Sequence, residues 1–448
     1  FDEVLDYVTI SSEVSLMKPM SFFVDTKFIL PAVFAGCAAL CGCKAERPIE
    51  FEPNMVFAKS IEIQSGYPMQ TALSQAQVAL KRLFGTPTDP QLPELLKSSD
   101  YADLISLDRV KAAGHVEGKV GLYEKHCATC HGVVGNGRGT TAALLDPYPR
   151  DYRAGKFKFK STPRGSKPLR EDLEYVISHG IDGTSMKAIP ELKPDDVKVL
   201  VDYVIYLSIR GELERNLLRQ AEEIDFEAGD SLFDVTLESA SEAEKKEKFK
   251  EQVTNVEDTL TEICESWLEA VDRVKDVPEV PEGIPVPATR AEVLAAKQSP
   301  EDSPLKKSIE RGYEVFRTEA AACGKCHGKE GYGDGTNVDY DDWTKEWTMR
   351  IGIEPTDEQS QIPLVARGAL PPRRILARDF RIGLFRGGSE PERIYRRIAE
   401  GIDGTPMPAA AIPAEDIWHL VNFVRSFDSP PEQEPEATEP KATATATK

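Results

Sequence analysis

Histidine and cysteine are scarce in this chain, with six and eight among 448 residues. Four of the cysteines form two C-x-x-C pairs, and Cys37, Cys41 and Cys43 cluster near the start. Cys264 stands alone on an expected helix, where a thiol behaves as a small buried apolar group. This distribution suggests no disulfide framework. Zinc would need further Cys or His beside each pair. His126 adjoins the first pair, with His115 and His179 farther away, and no second His lies near the other. Long apolar runs are also missing. Residues 28–42 are nearly uncharged and mostly apolar, but too short for a comfortable membrane span. Basic charge is in deficit, with Lys+Arg 55 against Asp+Glu 75 and a net charge of −20. No basic reading module offsets this, which argues against nucleic acid as a partner.

What the chain does have is one constellation written twice. The first copy reads C-A-T-C-H (Cys127, Cys130, His131), followed by Met186 inside G-I-D-G-T-S-M. The second reads C-G-K-C-H (Cys323, Cys326, His327), followed by Met407 inside G-I-D-G-T-P-M-P. Each cysteine pair can add across the two vinyl groups of haem, and the next histidine then lies beneath the iron. Methionine sulfur is a soft axial ligand that favours Fe(II), so a His/Met pair raises the potential. With both axial positions filled the iron has no vacancy for substrate, which suits one-electron transfer. A redox dithiol would need neither the following His nor the distant Met.

The repetition extends beyond the ligands. Glycines follow each histidine at identical offsets: Gly132, Gly135, Gly137 and Gly139, then Gly328, Gly331, Gly333 and Gly335. Later comes Arg150-Asp151-Tyr152-Arg153-Ala154-Gly155-Lys156-Phe157, matched by Arg378-Asp379-Phe380-Arg381-Ile382-Gly383-Leu384-Phe385. A fixed-order repeat of this kind argues for a duplicated unit.

On these residues the chain resembles the class I cytochrome c family, over roughly 110–210 and 305–427. The resemblance implies that a first helix bearing Gly and an aromatic crosses a last helix in each unit. Gly118, Gly121 and Tyr123 are the candidates in the first unit, and Gly312, Tyr313 and Phe316 in the second. The last helices carry Val197, Leu200, Val201, Val204 and Leu207, and Ile417, Leu420, Val421 and Val424, at three-four spacing. Pro194 and Pro413 mark their starts, with acids in the first turn. The second unit departs from the pattern by a long insertion, about 337–377, that carries Trp343 and Trp347. It reads as a packed loop or small subdomain, or else as a partner-binding or haem-shielding flap.

The expected architecture is all-α, with two cytochrome c-like helical haem domains joined by a helical hairpin insertion. Its parts are a signal or lipoprotein segment at 1–43, an approach segment at 44–110 and a first domain at 111–210. An acidic helical spacer with a Pro-rich linker follows at 211–300, then a second domain at 301–427 and a disordered tail at 428–448. Residues 211–275 should form the hairpin, and 277–288 a stiff linker. Residues 364–397 hold nine arginines, suited to haem propionates, to an acidic redox partner or simply to solvent.

Leu40-Cys41-Gly42-Cys43 resembles the lipobox of bacterial lipoproteins, with Cys43 as the lipidated residue and Cys37 as second choice. The expected product is exported and lipid-anchored on the periplasmic face of the cell membrane. The family resemblance implies two covalently bound haem c groups, with His131/Met186 and His327/Met407 as axial pairs. It further implies single-electron transfer in a respiratory chain, between a quinol-oxidising complex or dehydrogenase and a terminal oxidase or soluble cytochrome. The alternatives are a dihaem redox enzyme, of peroxidase or thiosulfate-oxidising type, and a cytochrome subunit of a larger oxidoreductase complex. An enzyme needs an open or displaceable ligand at one iron, and His179, just before the first Gly-Ile-Asp-Gly string, could replace Met186 there.

Overall fold

The computed structural model describes residues 49–114, 120–337 and 339–428, without the side chain of Trp343. Cys43, Cys37, His115, Gly118 and the tail from 429 lie outside the described residues. The expected helical class holds. Among the described residues the strands are two antiparallel pairs of two residues each, Gly85–Thr86 with Asp89–Pro90 and Asp339–Tyr340 with Arg374–Ile375.

The first core is built around one long helix, Pro194–Gln220. Pro194 opens it without losing a hydrogen bond, because first-turn N–H groups have no intrahelical acceptor. Asp196 reaches back to accept the Lys193 N–H at 2.9 Å. The helix runs straight through residue 210, where the sequence reading ended the first unit. Gly211 does not break it, because its missing Cβ is a packing requirement. A Cβ there would lie 2.4 Å from Arg153 Cα.

The first arm of the spacer is therefore the tail of the first unit's own last helix. The second arm, Ala243–Leu268, buries Phe249, Gln252, Val256, Leu260, Ile263 and Trp267 at three- and four-residue intervals. The apolar members share one core with Leu213 and Leu217, and Gln220 donates to Thr259 Oγ1 at 2.9 Å. Cys264 is fully buried in the same core.

Two buried carboxylates on the long helix fasten the segment before residue 110. Glu214 accepts from Asn54 N and Gln77 Nε2 at 2.7 and 2.6 Å. Asp202 accepts from Ser106 N at 2.8 Å and from Arg170. Without such donors each buried charge would be strongly destabilising.

Gly121 is not at a helix crossing. The main contact with the long helix before the cysteines is made by Leu107–Ala113, a helix that ends at Gly114. Gly121 then precedes the short helix Leu122–His126, so close to Gly114 that a Cβ would lie 1.6 Å from its carbonyl oxygen. Tyr123 is buried with its ring 4.8 Å from Tyr203.

A second core runs from Ile284 to Phe427. Its main contact is the crossing of Pro304–Phe316 and Ala414–Arg425, with Gly312 at the closest approach. Ser303 Oγ caps the first of these helices by accepting the Lys306 N–H at 3.2 Å. The Pro-rich strip is not a free linker. Asn422 donates to the Pro285 carbonyl at 2.9 Å, and Arg425 to Pro287 and Ala288 at 2.7 and 2.8 Å. Proline retains its carbonyl acceptor, and these side chains use it to strap the strip onto the last helix.

The 337–377 insertion folds as two helices, Asp342–Arg350 and Glu358–Val365. Trp347, Leu364 and Ala369 form a small third core, closed by Val56 from the helix Met55–Ser65. The insertion of the second unit thus packs on the segment preceding the first.

Candidate functional site

His131 ends the helix Ala128–His131, and His327 ends the helix Cys323–His327. Each chain then turns sharply through a glycine with positive φ, Gly132 at 76° and Gly328 at 78°, a conformation that disfavours a side chain. The turn closes when Gly137 N–H donates to the His131 carbonyl at 2.9 Å, and Gly333 N–H to that of His327 at 2.8 Å.

Each imidazole is fixed in the same way. His131 Nδ1 lies 3.0 Å from the Arg150 carbonyl, and His327 Nδ1 lies 3.0 Å from the Arg378 carbonyl. A carbonyl only accepts, so Nδ1 carries the proton and Nε2 keeps its lone pair for a metal. Tyr152 stacks on the first ring at 4.9 Å and Phe380 on the second at 4.7 Å. Burial pushes His131 down to about 4, against the opposing pull of the Arg150 carbonyl, and lowers His327 likewise. A neutral ring is the ligand form.

The carbonyls are held by a repeated turn. Asp151 accepts Arg153 N–H at 3.0 Å and its guanidinium at 2.7 Å, while Asp379 accepts Arg381 N–H at 2.9 Å and its guanidinium at 2.7 Å. The sequence reading found these two strings as a repeat but gave them no role. Their recurrence at matching places was the available signal, and the structure shows that they aim the histidines.

The cysteines are half-buried thiols. Burial pushes Cys127 up to about 12 and Cys323 up to about 11. A reactive dithiol requires the opposite shift.

The two Gly-Ile-Asp-Gly-Thr strings fold into the same tight loop. Ile181 N–H donates to the Met186 carbonyl at 2.7 Å, and Ile402 N–H to that of Met407 at 3.1 Å. Thr184 Oγ1 donates to Ile181 and accepts from Met186 N, at 2.8 and 3.1 Å. Thr405 Oγ1 does the same between Ile402 and Met407, at 2.8 and 3.2 Å. His179 is exposed, stacks on Tyr175 at 4.2 Å and is not part of the cavity wall.

All four cysteines, both histidines and both methionines line a single cavity of about 1550 Å³. This exceeds the roughly 300–1,000 Å³ of an ordinary small-molecule site. Leu200, Val204, Phe316, Leu420 and Val424 supply apolar wall. Arg150, Arg378, Arg386 and Arg397 supply cationic wall, and burial lowers Arg150 and Arg397 to about 10. From the insertion, Arg373, Arg374 and Leu376 also face the cavity. The donor set, the two oriented rings and the mixed wall fit a flat apolar macrocycle that bears carboxylates.

Residues 116–208 match the family model described as Cytochrome c, and Cys127, Cys130, His131 and Met186 fall inside the match. The resemblance to class I cytochrome c holds for this segment, and that family implies covalently bound haem c. No curated protein matches the chain. A solved structure from Kuenenia stuttgartiensis, the reducing HAO-like protein complex, matches with a TM-score of 0.39 and 22% identity, over 72% of this chain and 97% of that one. Among the described residues no helix is long and apolar enough to cross a membrane.

Proposed function

We propose that this chain is a two-haem electron carrier, with His131/Met186 and His327/Met407 as the axial pairs. The observation that carries the reading is the shared cavity, onto which both complete ligand sets open. When bound, each haem would supply a one-electron couple between Fe(II) and Fe(III). The protein's own part is to hold that couple. Cys127 with Cys130, and Cys323 with Cys326, would fix the macrocycles covalently. The Arg150 and Arg378 carbonyls orient the histidines and increase their basicity. Leu200, Val204, Leu420 and Val424 keep water from the site, and Arg150, Arg378, Arg386 and Arg397 can neutralise the carboxylates of the macrocycles. Both methionine loops are braced by the same internal hydrogen bonds, and His179 lies off the wall, which supports electron transfer over an open-iron enzyme.

Export and lipid attachment at Cys43 belong to the same reading. They are supported by the apolar stretch 28–42 and the Leu-Cys-Gly-Cys string. The partners would then be respiratory redox proteins at the membrane.

Reduced-minus-oxidised spectra of the purified chain, with a haem count, test the core claim. The expected result is two low-spin c-type haems per chain. A single haem, or a high-spin ferric signal in the unmodified protein, overturns it.

A further inference from the structure

The two methionine loops have the same internal bonds but different external ones. In the first unit, among the described residues, one side chain from outside bonds the loop backbone: Arg386 reaches the Gly183 carbonyl at 3.2 Å. In the second, Arg164 Nη1 lies 3.2, 3.1 and 2.7 Å from the carbonyls of Ile402, Thr405 and Met407. Arg164 belongs to the first unit, more than two hundred residues earlier in the chain. Next to it, Gly165 N–H donates to Asp403 at 2.9 Å, and Lys160 pairs with the same carboxylate at 3.1 Å. The counterpart aspartate in the first unit, Asp182, is exposed. Arg164 Nη2 also lies 3.9 Å from Asp342, at the start of the insertion helix.

Geometry makes these contacts specific to ligand placement. Ile402 and Met407 are the two ends of the tight loop, already joined by the Ile402 N–H to Met407 carbonyl bond. A cation bonded to the carbonyls of both ends, and to Thr405 between them, closes the loop from outside. It thereby fixes the Met407 backbone from which the thioether extends. The Arg164 side chain is 38% exposed, so it contributes little to the core, and most of what it does is done at this loop.

We infer that Arg164 is a positioning residue for Met407, so that ligation at the second iron depends on docking of the first unit. The inference rests on the reading of Met407 as an axial ligand. Bonding to three carbonyls by one cation is stronger than bonding by neutral donors, and it is lost as a set if the units separate. The first iron has no matching dependence of this strength, because Arg386 makes one such bond. The two haems would therefore differ in how firmly the sulfur is held, although their ligand residues are identical.

The test uses the full-length protein carrying both haems, with Met407→Ala, Arg164→Gln and Arg164→Lys. Three properties are read: the Met-to-iron charge-transfer band of the ferric protein, carbon monoxide binding to the reduced protein, and the potential of each haem. Met407→Ala should remove half of the band and let one haem bind carbon monoxide. Arg164→Gln should weaken the same half, allow partial carbon monoxide binding at that haem and lower its potential, leaving the other haem unchanged. Arg164→Lys, which keeps the charge, should restore part of the band. If Met407→Ala changes the spectra and Arg164→Gln matches the unmodified protein, the positioning role is wrong. A Met407→Ala protein with unaltered spectra removes both the ligand and the inference built on it. Equal loss at both haems in Arg164→Gln would mark a general structural role and also overturn the proposal.

Discussion

Gly312 and His419 touch through bare backbone: a Cβ on Gly312 would lie 2.1 Å from the His419 carbonyl oxygen. The two helices of the second core meet there, and the next obstacle, Phe423 Cβ, is only 2.7 Å away. Neither can yield without moving a helix. Gly312→Ala should therefore destabilise the second unit by about 1–3 kcal/mol, the range for overpacked cores. Thermal unfolding of the chain would show the loss, and an unchanged midpoint would mean the helices can separate freely.

In the first unit the comparable contact is polar. The buried Tyr123 hydroxyl donates to the Gly132 carbonyl at 2.9 Å, tying the short helix before the cysteines to the turn after His131. Tyr123→Phe keeps the ring against Tyr203 and removes the bond. The expected cost is about 1 kcal/mol, with unchanged haem content, measured by denaturant unfolding.

Asp403 predicts an acid dependence. Burial alone would raise its carboxyl, but the Gly165 N–H and the Lys160 ammonium outweigh this and hold it below the usual carboxylate range. A carboxyl whose folded value is depressed gives stability above its unfolded value, and loses it as pH falls through the folded one. At neutral pH Asp403→Asn should melt below the unmodified protein. The gap should begin to shrink near about pH 4, where the unfolded carboxyl takes up its proton, and vanish as pH falls through the lower folded value. A gap that is constant with pH would show that Asp403 acts by shape alone.

The chemistry was legible because it is local. C-x-x-C-H fits its three reactive side chains into five residues, and Pro194 with its two acids marks a helix start anywhere. Whatever depends on distant backbone was not legible. Asn422 and Arg425 grip carbonyls of the 277–288 strip, and carbonyls are the same in every residue, so the strip read as a linker. Arg164 is silent in the sequence for the same reason, since its acceptors are the carbonyls of a loop far along the chain. The long helix continues past 210, and the reason for Gly211 inside it, the closeness of Arg153, lies far away in the chain.

The insertion carries its own prediction. Trp347 is nearly buried and closes the small core with Leu364, Ala369 and Val56. Trp347→Ala should cost about 3–5 kcal/mol locally, as for other buried tryptophans, and release the insertion. Proteolysis within 342–366 should accelerate while the rest of the chain stays resistant. Unchanged cleavage would show that the Arg215–Glu346 ion pair is enough to hold it.

Cys127 and Cys323 open onto the same interior, so on the two-haem reading the two groups would share one lining. On that reading each macrocycle would form part of the surroundings of the other. A chain supplied with only one would close around a void, which close-packed proteins tolerate poorly. Complete loading would then strengthen the joint between the two halves as well as each site.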